Sequence, residues 1–244
     1  DGLEELVRTH DIGVIKMEVS RNYEPTGDFL VRVRQLADEH GIVLIFDECT
    51  SGFRQAFGGL HKIYGVEPDM AVFGKALGNG YAVTAVLGKR DIMQAAQNTF
   101  ISSTFWTERI GSVAGVATLG VMEREKSWET ITATGKAIAA RWQALGAKYD
   151  LPLTTAGVPA LTSFTLKVPK AQAYRTLITQ EMLAKGYLAA TAVYTCTAHT
   201  PEIVDGYFEA LDPVFALIRE CEDGRDVMSL LKGPVAHSGF TRLN

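Results

Sequence analysis

The sequence predicts an α/β fold over its first half, followed by a smaller α+β domain. Three observations carry this expectation. Over the first hundred residues, short apolar segments alternate with amphipathic segments of helical spacing, the rhythm of β-α-β units. One of those segments, 42–46, is Ile-Val-Leu-Ile-Phe without interruption, as befits a parallel strand covered on both faces. From about residue 107 the texture changes to long helices and then to a strand-helix-strand-helix run, and the boundary is placed near residue 125, after the first of those helices. The expected domains are therefore 1–125 and 126–244.

Taken in order, residues 1–6 read as the middle of a helix and lack an initiator Met, so the chain is expected to be part of a longer protein. A strand follows over 12–19. Phe29, Leu30, Val33, Leu36 and Ala37 recur at helical spacing, and Gly41 sits where a C-terminal cap belongs. Segments 42–46, 70–73 and 84–87 are the next strands. A helix is expected over 107–125, then another with Trp128, Ile131, Ile138, Trp142 and Leu145 on one side. Beyond Pro152 come a strand at 161–168, a helix at 171–185 ended by Gly186, a strand at 187–194 and a helix at 201–221. Thr200 is placed to cap the last helix, with Pro201 in its first turn.

The 244 residues are 47% hydrophobic with a formal charge of −4. Lys and Arg are scattered and form no basic stripe, which argues against a nucleic-acid partner. No apolar run approaches the roughly 20 residues of a membrane helix. Cys49, Cys196 and Cys221 are odd in number and far apart; free thiols in a reducing cytoplasm are expected, and no metal site.

Two stretches carry chemistry. In Phe46-Asp47-Glu48-Cys49-Thr50-Ser51-Gly52-Phe53-Arg54 an acidic pair ends an apolar strand, where open α/β sheets place ligands. A partly desolvated carboxylate there needs a cationic or hydrogen-bonding partner; the plain alternative is an Asp that anchors a loop. In Pro68-Asp69-Met70-Ala71-Val72-Phe73-Gly74-Lys75-Ala76-Leu77-Gly78-Asn79-Gly80 a lysine ends another short strand between glycines. Gly78 and Gly80 are expected to permit turns with positive φ. The order of Gly, Lys and Ser/Thr is not that of a P-loop.

Together, with Asp47 and Lys75 28 residues apart, these stretches resemble the signature of class III (ω-type) aminotransferases, which use pyridoxal 5′-phosphate (PLP). The resemblance extends to Lys16-Met17-Glu18, with Val19 where the family has proline, and to Ser102-Ser103-Thr104-Phe105. It covers the chain as the family's C-terminal half. It implies fold type I, the aspartate aminotransferase-like fold, with 1–125 as part of the cofactor-binding large domain and 126–244 as the small domain. It implies that Lys75 holds PLP as a Schiff base and shuttles the substrate proton, while Asp47 pairs with the pyridinium nitrogen. Cys49 would pack against the ring. Thr104 would donate to the cofactor phosphate of the neighbouring subunit, which implies a homodimer with shared sites. Glu18 and Glu48 would be supports. The substrates would be a small amino donor and a carbonyl acceptor.

Within the family, Ala198-His199-Thr200 is similar to glutamate-1-semialdehyde aminomutase. Thr191 stands where that enzyme has a glutamate, and its glycine-rich gating segment and Gly-Asn-Pro are absent. Intermolecular amino transfer is therefore the expected activity, with the aminomutase and a non-catalytic fragment as alternatives. His199 is expected to be structural.

Overall fold

The computed structural model describes residues 2–20, 22–104 and 107–239. Asp1 and Phe105, which figure in the segments above, lie outside the described residues. The chain divides into two compact units, Asp1–Thr130 and Ile131–Asn244.

The first unit opens on helix α1 (Gly2–Thr9) and holds a four-stranded sheet of β1 (Val14–Met17), β2 (Val43–Asp47), β3 (Met70–Phe73) and β4 (Ala85–Gly88). Strand order follows the chain; β1, β2 and β3 run parallel and β4 is antiparallel to β3. Strand alternation sends Ile15, Leu44, Phe46, Ala71 and Phe73 into the core. Ile45 and Asp47 face the other way, together with Val14 and Lys16, because Val14 pairs with Val43 and Lys16 with Ile45. Helix α2 (Phe29–Glu39) packs on β2 and buries Leu30, Val33 and Ala37. It ends as expected at Gly41, whose φ is 64°. The Ile42 N–H then reaches back to the Ala37 carbonyl at 2.8 Å, closing a Schellman cap.

The N-terminal edge of β3 is held by Asp69. Its Oδ2 accepts from Arg34 of α2 (3.0 Å) and from the Leu44 N–H (2.8 Å), and its Oδ1 accepts from Lys89 Nζ (2.7 Å). Burial works against this carboxylate, but those partners outweigh it and keep its pKa below the ordinary range. One acidic residue thus joins α2, β2 and the segment after β4. Two one-turn helices, α3 (His61–Tyr64) and α4 (Arg90–Met93), and the longer α5 (Ile110–Glu125) complete this unit, together with the start of α6 (Ser127–Lys148). The division between the two units falls inside α6.

The second unit contains the rest of α6, the antiparallel pair β5 (Leu153–Ala156) and β6 (Ser163–Leu166), α7 (Ala171–Ala184) and α8 (Pro201–Glu222). Trp142, Tyr174, Leu177, Leu211, Phe215 and Ile218 form its fully buried centre. The Trp142 indole N–H donates to the Tyr207 hydroxyl at 3.0 Å, which satisfies the one polar atom of that ring. Burial pushes the Tyr207 phenol up to about 12. Thr200 caps α8, accepting the Ile203 N–H, with Pro201 in the first turn.

Two expectations are corrected, and one element was not expected at all. The helix expected from 107 begins at Ile110, because the Glu108 carboxylate accepts the Ile110 and Gly111 N–H groups at 2.6 and 3.1 Å and ends the helix there. The strand expected at 187–194 is an extended stretch joined to β6 by a single bridge, Ser163 to Ala192. Its alternation is genuine, since Tyr187, Ala189 and Val193 pack on the core, but β6 is too short to pair with all of it. Strand β5 has no forewarning in the sequence: Leu-Thr-Thr-Ala has too little periodicity to declare itself.

Candidate functional site

The site is assembled where β2 and β3 end side by side. Asp47, the last residue of β2, pairs in register with Val72. Its Oδ1 accepts the Cys49 N–H at 3.2 Å, an Asx turn that starts the loop after the strand. Its Oδ2 lies 3.0 Å from Lys16 Nζ of β1. The Lys16 ammonium holds the Asp47 carboxyl below the usual range, and Asp47 in turn raises the Lys16 pKa.

Glu48 points the opposite way, as the next residue along a strand must, and is fully buried. Its Oε1 accepts both the His61 backbone N–H (3.0 Å) and His61 Nδ1 (2.9 Å), and its Oε2 accepts the Ser51 hydroxyl (2.5 Å). Burial alone would raise this carboxyl; the His61, Ser51 and backbone donors outweigh it, and the pKa is lowered. Glu48 therefore ties the 48–61 loop to the end of β2. The room for His61 comes from Gly59, where a Cβ would lie 2.3 Å from the imidazole.

Lys75 opens a one-turn 3-10 helix, Lys75–Leu77, just beyond β3. Its φ is 44°, a left-handed conformation uncommon for a residue with a Cβ and concentrated at functional sites. The Gly78 and Asn79 N–H groups both bond to the Lys75 carbonyl, at 3.1 and 3.0 Å. The Lys75 side chain is exposed at its end and donates through Nζ to Thr50 Oγ1 at 2.6 Å. The expectation for the following glycines is half corrected. Gly80 has a φ of 104°, whereas Gly78 has a φ of −87°. Gly78 is needed for space, because a Cβ there would meet the Tyr81 carbonyl at 2.1 Å.

Cys49 is half-buried between these groups. A Cβ on Gly74 would touch its Sγ at 3.5 Å. The charges of Asp47, Lys75 and Lys16 all act on the thiol, whose pKa is raised first by burial and then by Asp47. Glu18, half-buried just past β1, acts on Lys16.

The structure thus brings together Asp47, Cys49 and Lys75, with Glu48 behind them and Glu18 at the side. Thr104 ends an exposed run, residues 99–104, and no hydrogen bond joins it to Lys75 or Asp47 among the described residues. Sequence reasoning missed Lys16, Thr50, Ser51 and His61 as members. Lys16 had a signal of its own, as the one charge in Val14-Ile15-Lys16-Met17. His61 is structural here and had none.

An amine at a strand end, a carboxylate on the adjacent strand and a small half-buried side chain between them suit a planar, cationic ring bearing an aldehyde. No group of three His, Cys, Asp or Glu able to hold a metal stands together among the described residues. No helix among them is long and apolar enough to cross a membrane. In the second unit, a cavity of about 350 Å³ is lined by Tyr187, Leu188, Tyr194, His199 and Ile203 among others; Asp47, Cys49, Lys75 and their partners do not line it. His199 Nδ1 accepts the Cys196 N–H at 3.0 Å, a turn-closing bond in keeping with a structural histidine.

A family model for class-III aminotransferases matches residues 22–204. A 3-aminobutyryl-CoA aminotransferase of Cloacimonas acidaminovorans is 38% identical over 157 residues, 64% of this chain and 38% of that protein. A glutamate-1-semialdehyde 2,1-aminomutase of Persephonella marina is 28% identical over 228 residues, 84% of this chain and 53% of that protein. The chain thus spans about half, or less, of the length of these curated relatives. Among solved structures, the PLP internal aldimine form of the FumI protein of Sphingopyxis sp. MTA144 superposes with a TM-score of 0.82 at 23% identity, covering 93% of this chain and 57% of that one. The fold is that of the fold type I transaminases.

Proposed function

The chain belongs to the class-III aminotransferase family, and we propose that it carries the lysine-bearing part of a PLP enzyme that moves an amino group between a small amine or amino acid and a carbonyl acceptor. One observation carries this reading: the Lys75 amine and the Asp47 carboxylate stand at the ends of adjacent parallel strands with Cys49 between them. Lys75 would hold the cofactor through Nζ, Asp47 would face its ring nitrogen and Cys49 would pack against its face. Bound there, PLP supplies an electron-withdrawing ring that weakens bonds at the amino-bearing carbon.

The remaining chemistry belongs to this chain. Lys75 Nζ takes a proton from the substrate carbon and returns it, acting in turn as base and acid. The Thr50 hydroxyl, accepting from that amine at 2.6 Å, orients it. The left-handed backbone at Lys75 fixes the direction in which the side chain leaves the strand end. Glu48, through His61 and Ser51, holds the loop that carries Cys49 and Thr50.

In this reading 1–125 is part of the large domain and 126–244 the small domain of a cytoplasmic homodimer, with Thr104 reaching the phosphate in the neighbouring subunit. The unpaired Cys49, Cys196 and Cys221 support a reducing compartment. Reduction of the full-length polypeptide with borohydride in the presence of PLP is expected to fix the cofactor on the peptide containing Lys75, and Lys75→Ala to abolish the adduct. An unmodified Lys75 would refute the reading. A second reading, a 2,1-aminomutase, is supported by the relative from Persephonella marina that aligns over 84% of the chain. Isomerisation of an amino-aldehyde without any external acceptor would decide for it.

A further inference from the structure

We infer that Lys16 is a resident counter-ion of Asp47 that competes with the cationic ring nitrogen of PLP for the same carboxylate, and so loosens the hold on the cofactor. The inference rests on the proposed function and deepens it. Lys16 lies on the sheet face that carries Asp47, because its register partner is Ile45, two residues before Asp47 on β2. From there its Nζ reaches Oδ2 at 3.0 Å. The other oxygen, Oδ1, already accepts the Cys49 N–H. Both carboxylate oxygens are therefore engaged within the chain, and an incoming ring cation must share Oδ2 or displace the ammonium from it.

The geometry makes displacement feasible. The Lys16 side chain is 58% exposed and that of Asp47 25%, so the ammonium can swing into water on its four-carbon stem. A purely structural role accounts poorly for this lysine. An exposed ion pair adds little to stability, and Val14, Ile15 and Met17 show what the strand otherwise selects. If Lys16 stays, it places a second positive charge beside the ring nitrogen and opposes that nitrogen's protonation. Sharing and displacement have the same sign: Lys16 costs the cofactor part of its ion pair.

The test is PLP affinity in the full-length polypeptide, titrated with PLP itself, for the native protein, Lys16→Met and Lys16→Arg. Removing the competitor is expected to tighten binding by roughly two- to fivefold, the range set by a partly exposed ion pair. Lys16→Arg keeps the cation and is expected to leave Kd at or above the native value. Damage to the sheet would weaken binding, so a structural role predicts the opposite sign. Lys16→Gln replaces the Met variant if the latter loses its folded circular dichroism. An unchanged or larger Kd in Lys16→Met, with PLP still on Lys75, overturns the role of Lys16 and leaves the proposed function standing. Absence of PLP binding by the native protein overturns both.

Discussion

Truncating Glu48 should be among the most damaging single changes in the first unit, and its cost follows from what the carboxylate accepts. Glu48 is fully buried and takes hydrogen bonds from the His61 backbone N–H, the His61 ring and the Ser51 hydroxyl. Against a carboxylate, the imidazole carries its hydrogen on Nδ1. In Glu48→Ala the hydroxyl can rotate to another acceptor, but two buried N–H donors cannot move. At about 1–3 kcal/mol for each of the two orphaned donors, with the space left behind adding to it, the expected loss is about 3–6 kcal/mol. Glu48→Gln keeps an acceptor for the His61 donors, and Ser51 can turn to accept from the new amide. Only charge assistance is then lost, about 1–2 kcal/mol. Guanidinium unfolding followed by far-ultraviolet circular dichroism measures both. A Glu48→Ala variant within about 0.5 kcal/mol of the native chain would refute the argument, because that is the size of an ordinary surface substitution.

Acid should act through the same residue and through Asp69. Both folded-state carboxyls lie below their ordinary values of 4.5 and 3.8. Their contribution is therefore full above those values and lost as pH falls through the lower folded-state values; unfolding midpoints measured from neutral to strongly acid pH should show the decline. Gly59→Ala forces a Cβ to within 2.3 Å of the His61 ring, and should cost roughly 2–4 kcal/mol by the same unfolding assay. Thr50→Val removes the acceptor of the exposed Lys75 amine at a half-buried position; stability should stay within about 1 kcal/mol, while in the proposed reaction of the full-length polypeptide the proton-transfer rate in single turnovers falls by about tenfold. Alkylation mapped by peptide mass should reach Cys196 first, the half-buried Cys49 later, and the buried Cys221 only on unfolding.

Much of the fold was legible because its signals are local. The continuous apolar run at 42–46 and the shorter ones at 70–73 and 84–87 became β2, β3 and β4 within a residue or two. The caps were plainer still: Gly41 and Gly186 both end helices in Schellman turns, with the Tyr187 N–H returning to the Met182 carbonyl at 2.9 Å. The failures share a cause. Whether 187–194 is a strand depends on how much of β6 is there to pair with, and where α5 starts depends on Glu108 folding back on the Ile110 N–H. Both are contacts made after the local pattern is written.

The candidate site divides along the same line. Asp47 and Lys75 were legible because a charged residue at the end of an apolar strand is conspicuous in one dimension. Their partners were not, since Lys16 comes 31 residues before Asp47 and Thr50 25 before Lys75, and only the parallel register of β1 on β2 and the turn after β2 bring them together. Their chemical consequence differs from what Asp47 and Lys75 suggest alone. Asp47 is not a bare carboxylate waiting for a cation; Lys16 already balances it. Lys75 is not a loose surface amine; its backbone is held left-handed and its Nζ is anchored on Thr50. A site so balanced holds its charged groups in place within the chain, and in the reading proposed above the strength of cofactor binding is set by how readily Lys16 yields as well as by Asp47.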